Sequence, residues 1–290
     1  MGIVVDTKNA YWVNASRSDG NDEYSVPGSV VSAPLGGGSP TTLAANQNQA
    51  WSIAINATNI YWTNLGYPTN EGAGMITPLS GGVYSIALSS STRSAVVPNL
   101  TDPGPLAISS NAAYWVSTLD GNVYSAPLTG GTASTFASGQ TGYLAIATDA
   151  NSVYWVDGNA LVKEPQAGGT IVTLSTEIEG TQGIAVDDAN VYWTVETANS
   201  SGMVLQESLN GGATITLATE LEDPVAVTSD GKNVYWVTQG DGTVQRAPIG
   251  GGPVITLASQ QNEPVALTVD STSVYWVTLE DGTVMKQTPK

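Results

Sequence analysis

Asp270-Ser271-Thr272-Ser273-Val274-Tyr275-Trp276-Val277-Thr278-Leu279-Glu280-Asp281-Gly282-Thr283-Val284 is the stretch that decides the fold. It opens on a turn headed by Asp and continues as a β-branched and aromatic run. An Asp-Gly pair then supplies the positive φ angles of a two-residue hairpin, and an apolar run resumes. Its centre is a Tyr-Trp couplet. The couplet recurs as Tyr11-Trp12, Tyr61-Trp62, Tyr114-Trp115, Tyr154-Trp155, Tyr192-Trp193 and Tyr235-Trp236, and Trp51 is the one tryptophan outside it. A signal that returns at a period of roughly 40 residues marks a repeat architecture.

Each couplet sits in the same surroundings. A short apolar run precedes it, such as Ile184–Val186 or Val225–Val227, then a turn headed by Asp or Asn (Asp6, Asn56, Asp149, Asp187, Asp230, Asp270), with Ser109 in the third unit. After the couplet come a hairpin, an alternating apolar run and a Gly-rich turn. A last short run, such as Thr214–Ala218 or Val254–Ala258, completes the unit. Four short strands per unit, seven units and no helical periodicity predict an all-β chain. The expected fold is a seven-bladed β-propeller of four-stranded antiparallel blades over residues 1–290 as a single domain. We letter the strands A to D in chain order. The chain starts on an A strand and ends on a C strand, Thr283–Gln287. Either the last blade is three-stranded or the native chain begins earlier.

Within the couplet, neighbouring side chains point to opposite faces of a strand. Tyr and Trp should therefore pack on the sheets to either side. A buried Trp removes about 150–250 Å² from water, an upper limit of roughly 4–6 kcal/mol. Small residues stand nine and seven positions before each Tyr, including Gly2, Ser52, Ala54, Ala145 and Gly183. They suit crowded inner strands and carry no metal-ligating group.

Composition excludes several functions. With 8 Lys and Arg against 25 Asp and Glu the net charge is −17, which argues against nucleic acid and anionic membranes. The absence of Cys and His removes thiolate chemistry, Cys-based metal sites and the commonest general base. No apolar run reaches the ~18 residues of a membrane-spanning helix. Met1-Gly2 reads as an expression start, with an export signal cut away. The polar, Lys-poor composition suits an exported bacterial protein, extracellular or periplasmic.

The couplet resembles the repeats of YWTD-type β-propellers, those of low-density-lipoprotein-receptor-like proteins and their bacterial relatives. Tyr61-Trp62-Thr63 and Tyr192-Trp193-Thr194 match three letters, and Asp157 alone matches the motif's Asp. The resemblance implies a propeller with a binding role. It carries over no functional residue, and the family's usual six blades differ from the seven units counted. Streptogramin-lyase-like propellers share a seven-blade plan but rely on histidines absent from this chain.

In a propeller the B–C and D–A loops share one end and the A–B and C–D turns the other. Sorting the 25 acids by this rule puts 17 at the B–C/D–A end, a field that would attract cations, basic peptides or polar ligands. Many of these acids also serve turns or solubility. Departures from the repeat are better site candidates. Two long B–C loops, 14–29 and 64–81, carry Asp22, Glu23, Tyr24, Tyr67 and Glu71, with Trp51 close by in strand A of the second blade. Aromatic side chains among acids and amides make a composition suited to a glycan, peptide or protein ligand. Trp51 could equally pack the loops down. A second set, Glu179, Glu222, Asp223 and Glu263 on successive D–A loops, offers oxygen ligands for Ca²⁺, although the spacing matches no known loop. The leading expectation is a non-catalytic binding propeller. The alternatives are a carboxylate-based hydrolase or lyase, with or without Ca²⁺, and a structural or engineered scaffold.

Overall fold

The protein's structure, a computed structural model, describes residues 2–16, 27–66, 81–90, 92–141, 145–176, 180–197 and 201–290. The described residues form 27 strands in seven antiparallel sheets and no helix. Six sheets run A-B-C-D in order and the seventh stops at A-B-C. The fold is a seven-bladed β-propeller. The chain divides into two compact units, Met1–Tyr143 with sheets 1–3 and Leu144–Lys290 with sheets 4–7. Among the described residues no helix is long and apolar enough to cross a membrane.

Sheet 6 shows the build: strands Pro224–Ser229, Asn233–Thr238, Thr243–Pro248 and Ile255–Ala258. Its A–B turn is held by Asp230. One carboxylate oxygen accepts the backbone N–H groups of Lys232 (2.9 Å) and Asn233 (2.8 Å), and the other accepts the Tyr235 hydroxyl at 2.9 Å. Asp is suited to this task because its short side chain reaches its own backbone two residues on. The same clasp joins Asp6 to Tyr11, Asp149 to Tyr154, Asp187 to Tyr192 and Asp270 to Tyr275. In sheet 2 Asn56 takes the place and donates to Tyr61 at 3.4 Å.

The clasp leaves an electrostatic mark. Burial alone would raise the Asp230 carboxyl. The Lys290 ammonium at 2.8 Å, the two backbone N–H groups and the Tyr235 hydroxyl outweigh it and hold the pKa down at about 2. The Tyr235 hydroxyl is pushed up to about 12, first by burial and then by its bond to Asp230.

The couplets join sheets as their alternation requires. One apolar cluster holds Tyr11 with Trp62, another Tyr61 with Trp115. In the second unit Tyr154 packs with Trp193, Tyr192 with Trp236 and Tyr235 with Trp276. Each of these five interfaces within the units thus takes the Tyr of one sheet and the Trp of the next. The small inner residues also have a cause. A Cβ added to Gly183 would lie 3.0 Å from the Ala226 Cα and the Val225 carbonyl of the neighbouring A strand.

Candidate functional site

At the D–A corners the chain turns by a repeated device. Residues 15 and 12 positions before each couplet Tyr take positive φ: Asn46 and Gln49, Asn99 and Asp102, Glu220 and Asp223, Gln260 and Glu263. Gly139 and Gly180 occupy the same frame in sheets 4 and 5. This left-handed conformation suits Gly, Asn and Asp and is strained for longer side chains. Two acids expected in the ligand set, Asp223 and Glu263, therefore stand at backbone corners. Asp102, at one of these corners, is buried.

Between the two corner residues lies a third device. The side-chain oxygen of Gln47 accepts the Trp62 indole N–H at 3.0 Å, and that of Gln261 accepts the Trp276 indole N–H at 2.9 Å. Each Gln returns its own amide N–H to the carbonyl two residues earlier, Ala45 at 2.6 Å and Ser259 at 2.8 Å. Sequence reading missed these glutamines. Their constant offset from the couplet, 14 residues, was the available signal.

In the first unit this corner carries more than the scaffold needs. Gln47 also accepts from the Asn64 amide at 3.1 Å and from the Arg93 guanidinium at 3.4 Å. The Ser16 hydroxyl accepts the backbone N–H groups of Gly28 and Gln49. Asn64 pairs across the ladder with Ala50, and the Leu65 N–H donates to the Gln49 carbonyl at 3.1 Å. Two buried atoms have no hydrogen-bond partner, the Gln49 amide nitrogen and the Asn64 side-chain oxygen. Their residues are only 7% and 3% exposed. Such orphans are rare and costly, because the group has left water without replacement.

Trp51 stands beside them on the A strand Ala50–Ile55. It is 39% exposed, while the seven couplet tryptophans are buried. Trp51 thus holds an exposed aromatic side chain two residues along the chain from Gln49. Of the other residues expected here, Asp22, Glu23, Tyr24, Tyr67 and Glu71 lie outside the described residues, as does Glu179 of the expected metal set. Glu222 and Glu263 are exposed on different corners. Among the described residues no three acids come together as a metal-holding group.

The second unit pairs two carboxyls instead. Glu196 and Asp223 lie within hydrogen-bonding reach, and the Gln182 amide donates to Asp223 at 2.8 Å. The Glu196 pKa is raised above its ordinary value, first by burial and then by the Asp223 carboxyl.

No family model and no curated protein matches the chain. Solved structures match it by fold. Virginiamycin B lyase from Staphylococcus aureus superposes with a TM-score of 0.73 at 13% identity, over 99% of this chain and 94% of the other. The computationally designed Ika8 protein gives 0.67 at 14% identity, over 99% and 82%. A chain of the nidogen/laminin complex gives 0.60 at 19% identity, over 73% and 87%. At these identities the likeness establishes the propeller and nothing about activity.

Proposed function

We propose that this chain is a non-catalytic binding propeller whose ligand is a carbohydrate held at the loop end of sheets 1 and 2. The observation that carries the reading is the exposed Trp51 beside the two orphaned amide atoms of Gln49 and Asn64. A sugar ring offers an apolar C–H face for an indole and hydroxyls that both donate and accept. The Gln49 N–H and the Asn64 oxygen are sealed from solvent in the free chain, so ligand hydroxyls would meet them, one as acceptor and one as donor, only as the corner opens to admit the ligand. A few fixed polar groups beside an aromatic wall is the usual make-up of a small-ligand site. Asp22, Glu23, Tyr24, Tyr67 and Glu71, expected from sequence to belong to this site, lie outside the described residues. The Tyr-Trp repeats support a likeness to the YWTD-like propellers, and the acidic, polar composition supports an extracellular or periplasmic address. Nidogen in complex with laminin supports a binding role for a similar fold.

A glycan array followed by calorimetry on the best hit tests this. Binding should quench and blue-shift the emission of the one exposed tryptophan. Trp51→Ala and Gln49→Ala should each weaken binding at least tenfold. An array without hits, or a hit that Trp51→Ala leaves unchanged, overturns the carbohydrate reading.

A further inference from the structure

One C–D turn departs from the repeat in two places at once. In sheets 1, 3, 4 and 6 this turn opens on a proline, Pro34, Pro127, Pro165 and Pro248, whose carbonyl accepts the N–H three residues on at 2.8–3.1 Å. Sheet 5 has Ser208 in place of the proline, and Asn210 where those sheets have Gly36, Thr129, Ala167 and Gly250. Asn210 is followed by Gly211, and no other Asn in the chain precedes a Gly. We propose that Asn210 is a covalent modification site, at which the Gly211 nitrogen closes on the Asn210 side-chain amide and converts it to aspartate and isoaspartate without an enzyme.

Water is the only co-reactant. The Gly211 backbone nitrogen bonds to Asn210 Cγ, the Cγ–Nδ2 bond breaks, and ammonia leaves with the proton from Gly211. The cyclic imide then takes up one water. Opening at Cγ gives aspartate. Opening at the backbone carbonyl gives isoaspartate, whose main chain runs through the side-chain carbons. A following glycine favours ring closure because no Cβ crowds the attacking nitrogen.

The structure leaves this turn open to react. Asn210, Gly211 and Gly212 are all exposed. A Cβ built at the last turn glycine would meet the proline ring at 3.1–3.8 Å at Gly38, Gly131, Gly169 and Gly252, but nothing within 4 Å at Gly212. Proline thus braces the other turns and fixes φ at the residue that opens them; Ser208 does neither. The attacking nitrogen is held by one bond, from the Gly211 N–H to the Ser208 carbonyl at 2.9 Å, and that bond must open before attack.

The turn is also a joint. The Lys163 ammonium of sheet 4 donates to the Leu209 carbonyl at 2.8 Å, and Gln206 accepts the Gly250 N–H of sheet 6 at 2.9 Å. Glu207, only 5% exposed, accepts the Thr214 hydroxyl at 3.2 Å across the same turn, and burial already raises its pKa. A new carboxylate three residues from Glu207, with an extra main-chain atom in the isoaspartate form, therefore loosens the contact of sheet 5 with sheets 4 and 6. The site lies in the second unit and does not depend on the carbohydrate reading.

The test holds the full folded chain at pH 8 and 37 °C and follows residues 206–215 by peptide mass spectrometry, with isoaspartate counted by enzymatic methyl labelling. Asn210 should convert at least tenfold faster than Asn151, an exposed Asn followed by Ser152. Ser208→Pro, which restores the residue of four other sheets, should slow conversion at least threefold. Asn210→Ala, the residue sheet 4 carries as Ala167, should abolish the methyl label and keep the melting curve of the fresh parent. Hydrogen exchange at the Gly250 amide should quicken in the aged parent and not in aged Asn210→Ala. An Asn210 that stays intact in the folded chain, converts no faster than Asn151, or converts at an unchanged rate in Ser208→Pro would overturn the proposal, and an unmoved Gly250 amide would overturn its effect on the joint.

Discussion

The corners of sheets 2 and 7 are built to one plan and finished differently. In both, a Gln caps the indole N–H of the couplet Trp, at 3.0 Å from Gln47 and 2.9 Å from Gln261. In both, the residue two further on takes positive φ, Gln49 and Glu263. In sheet 7 the account then closes. Thr278, at the position of Asn64, bonds Thr283 at 2.7 Å, and Val265 stands where sheet 2 has Trp51. Sheet 2 instead carries Trp51 in solvent and two buried amide atoms without partners. What repeats in this protein is scaffold, and what departs from the repeat under polar strain is the candidate for binding.

The comparison can be pressed by substitution. The largest effect should come from the shared part. Trp276→Ala and Trp62→Ala should each cost about 3–5 kcal/mol by denaturant unfolding, because each empties the space between two sheets. Near-equal losses would confirm that the two corners share a scaffold. A smaller effect should divide them. Gln261→Ala leaves one buried indole N–H unpaired, a cost of about 1–3 kcal/mol. Gln47→Ala should lie at the top of that range or beyond it, since Trp62, Asn64 and Arg93 all donate to its oxygen. Equal losses would sink the view that sheet 2 carries the denser polar network.

Electrostatics sharpen the contrast between neutral amides in sheet 2 and charges in the second unit. Asp230 ionises at about 2 in the folded chain against an ordinary 3.8. The unfolded chain therefore binds more protons between these values, so the clasp stabilises above pH ~4 and that share is lost as pH falls toward ~2. Lys290→Ala should cost about 1 kcal/mol at pH 7, and the difference from the parent should shrink in urea titrations near pH 2. Tyr235 has the opposite sense. Its folded pKa is raised, so its contribution is complete below pH ~10 and is lost as pH rises through about 12.

The smallest effects fall at the candidate sites. Trp51→Ala should change stability by no more than about 0.5 kcal/mol, as for a surface residue. A larger loss would make Trp51 a packing residue holding down the loops. Asp223→Asn should bring the Glu196 pKa back toward 4.5, followed by carboxyl NMR. An unmoved pKa would show that burial alone raises it.

The seven couplets, the Asp-headed turns and the Asp-Gly hairpins made the sheets legible from sequence, because each is a local signal with one backbone solution. The three-stranded last sheet followed from the order of the runs. The site was less legible. Trp51 stood out as the one unpaired tryptophan, but the glutamine caps of Trp62 and Trp276 did not, since a Gln in a polar loop looks like any other. The acids of the D–A loops gave no sign in sequence of their backbone role: Asp223 and Glu263 stand at positive-φ corners.

Sequence by itself determined where the strands fall and which side chains must leave water, since period and turn chemistry act over a few residues. Tertiary structure alone decided that Gln49 and Asn64 would be sealed in with bonds unmade and that Glu196 would meet Asp223. Those outcomes depend on which strands lie side by side, and neighbours brought together from distant parts of the chain leave no mark on the residues that meet.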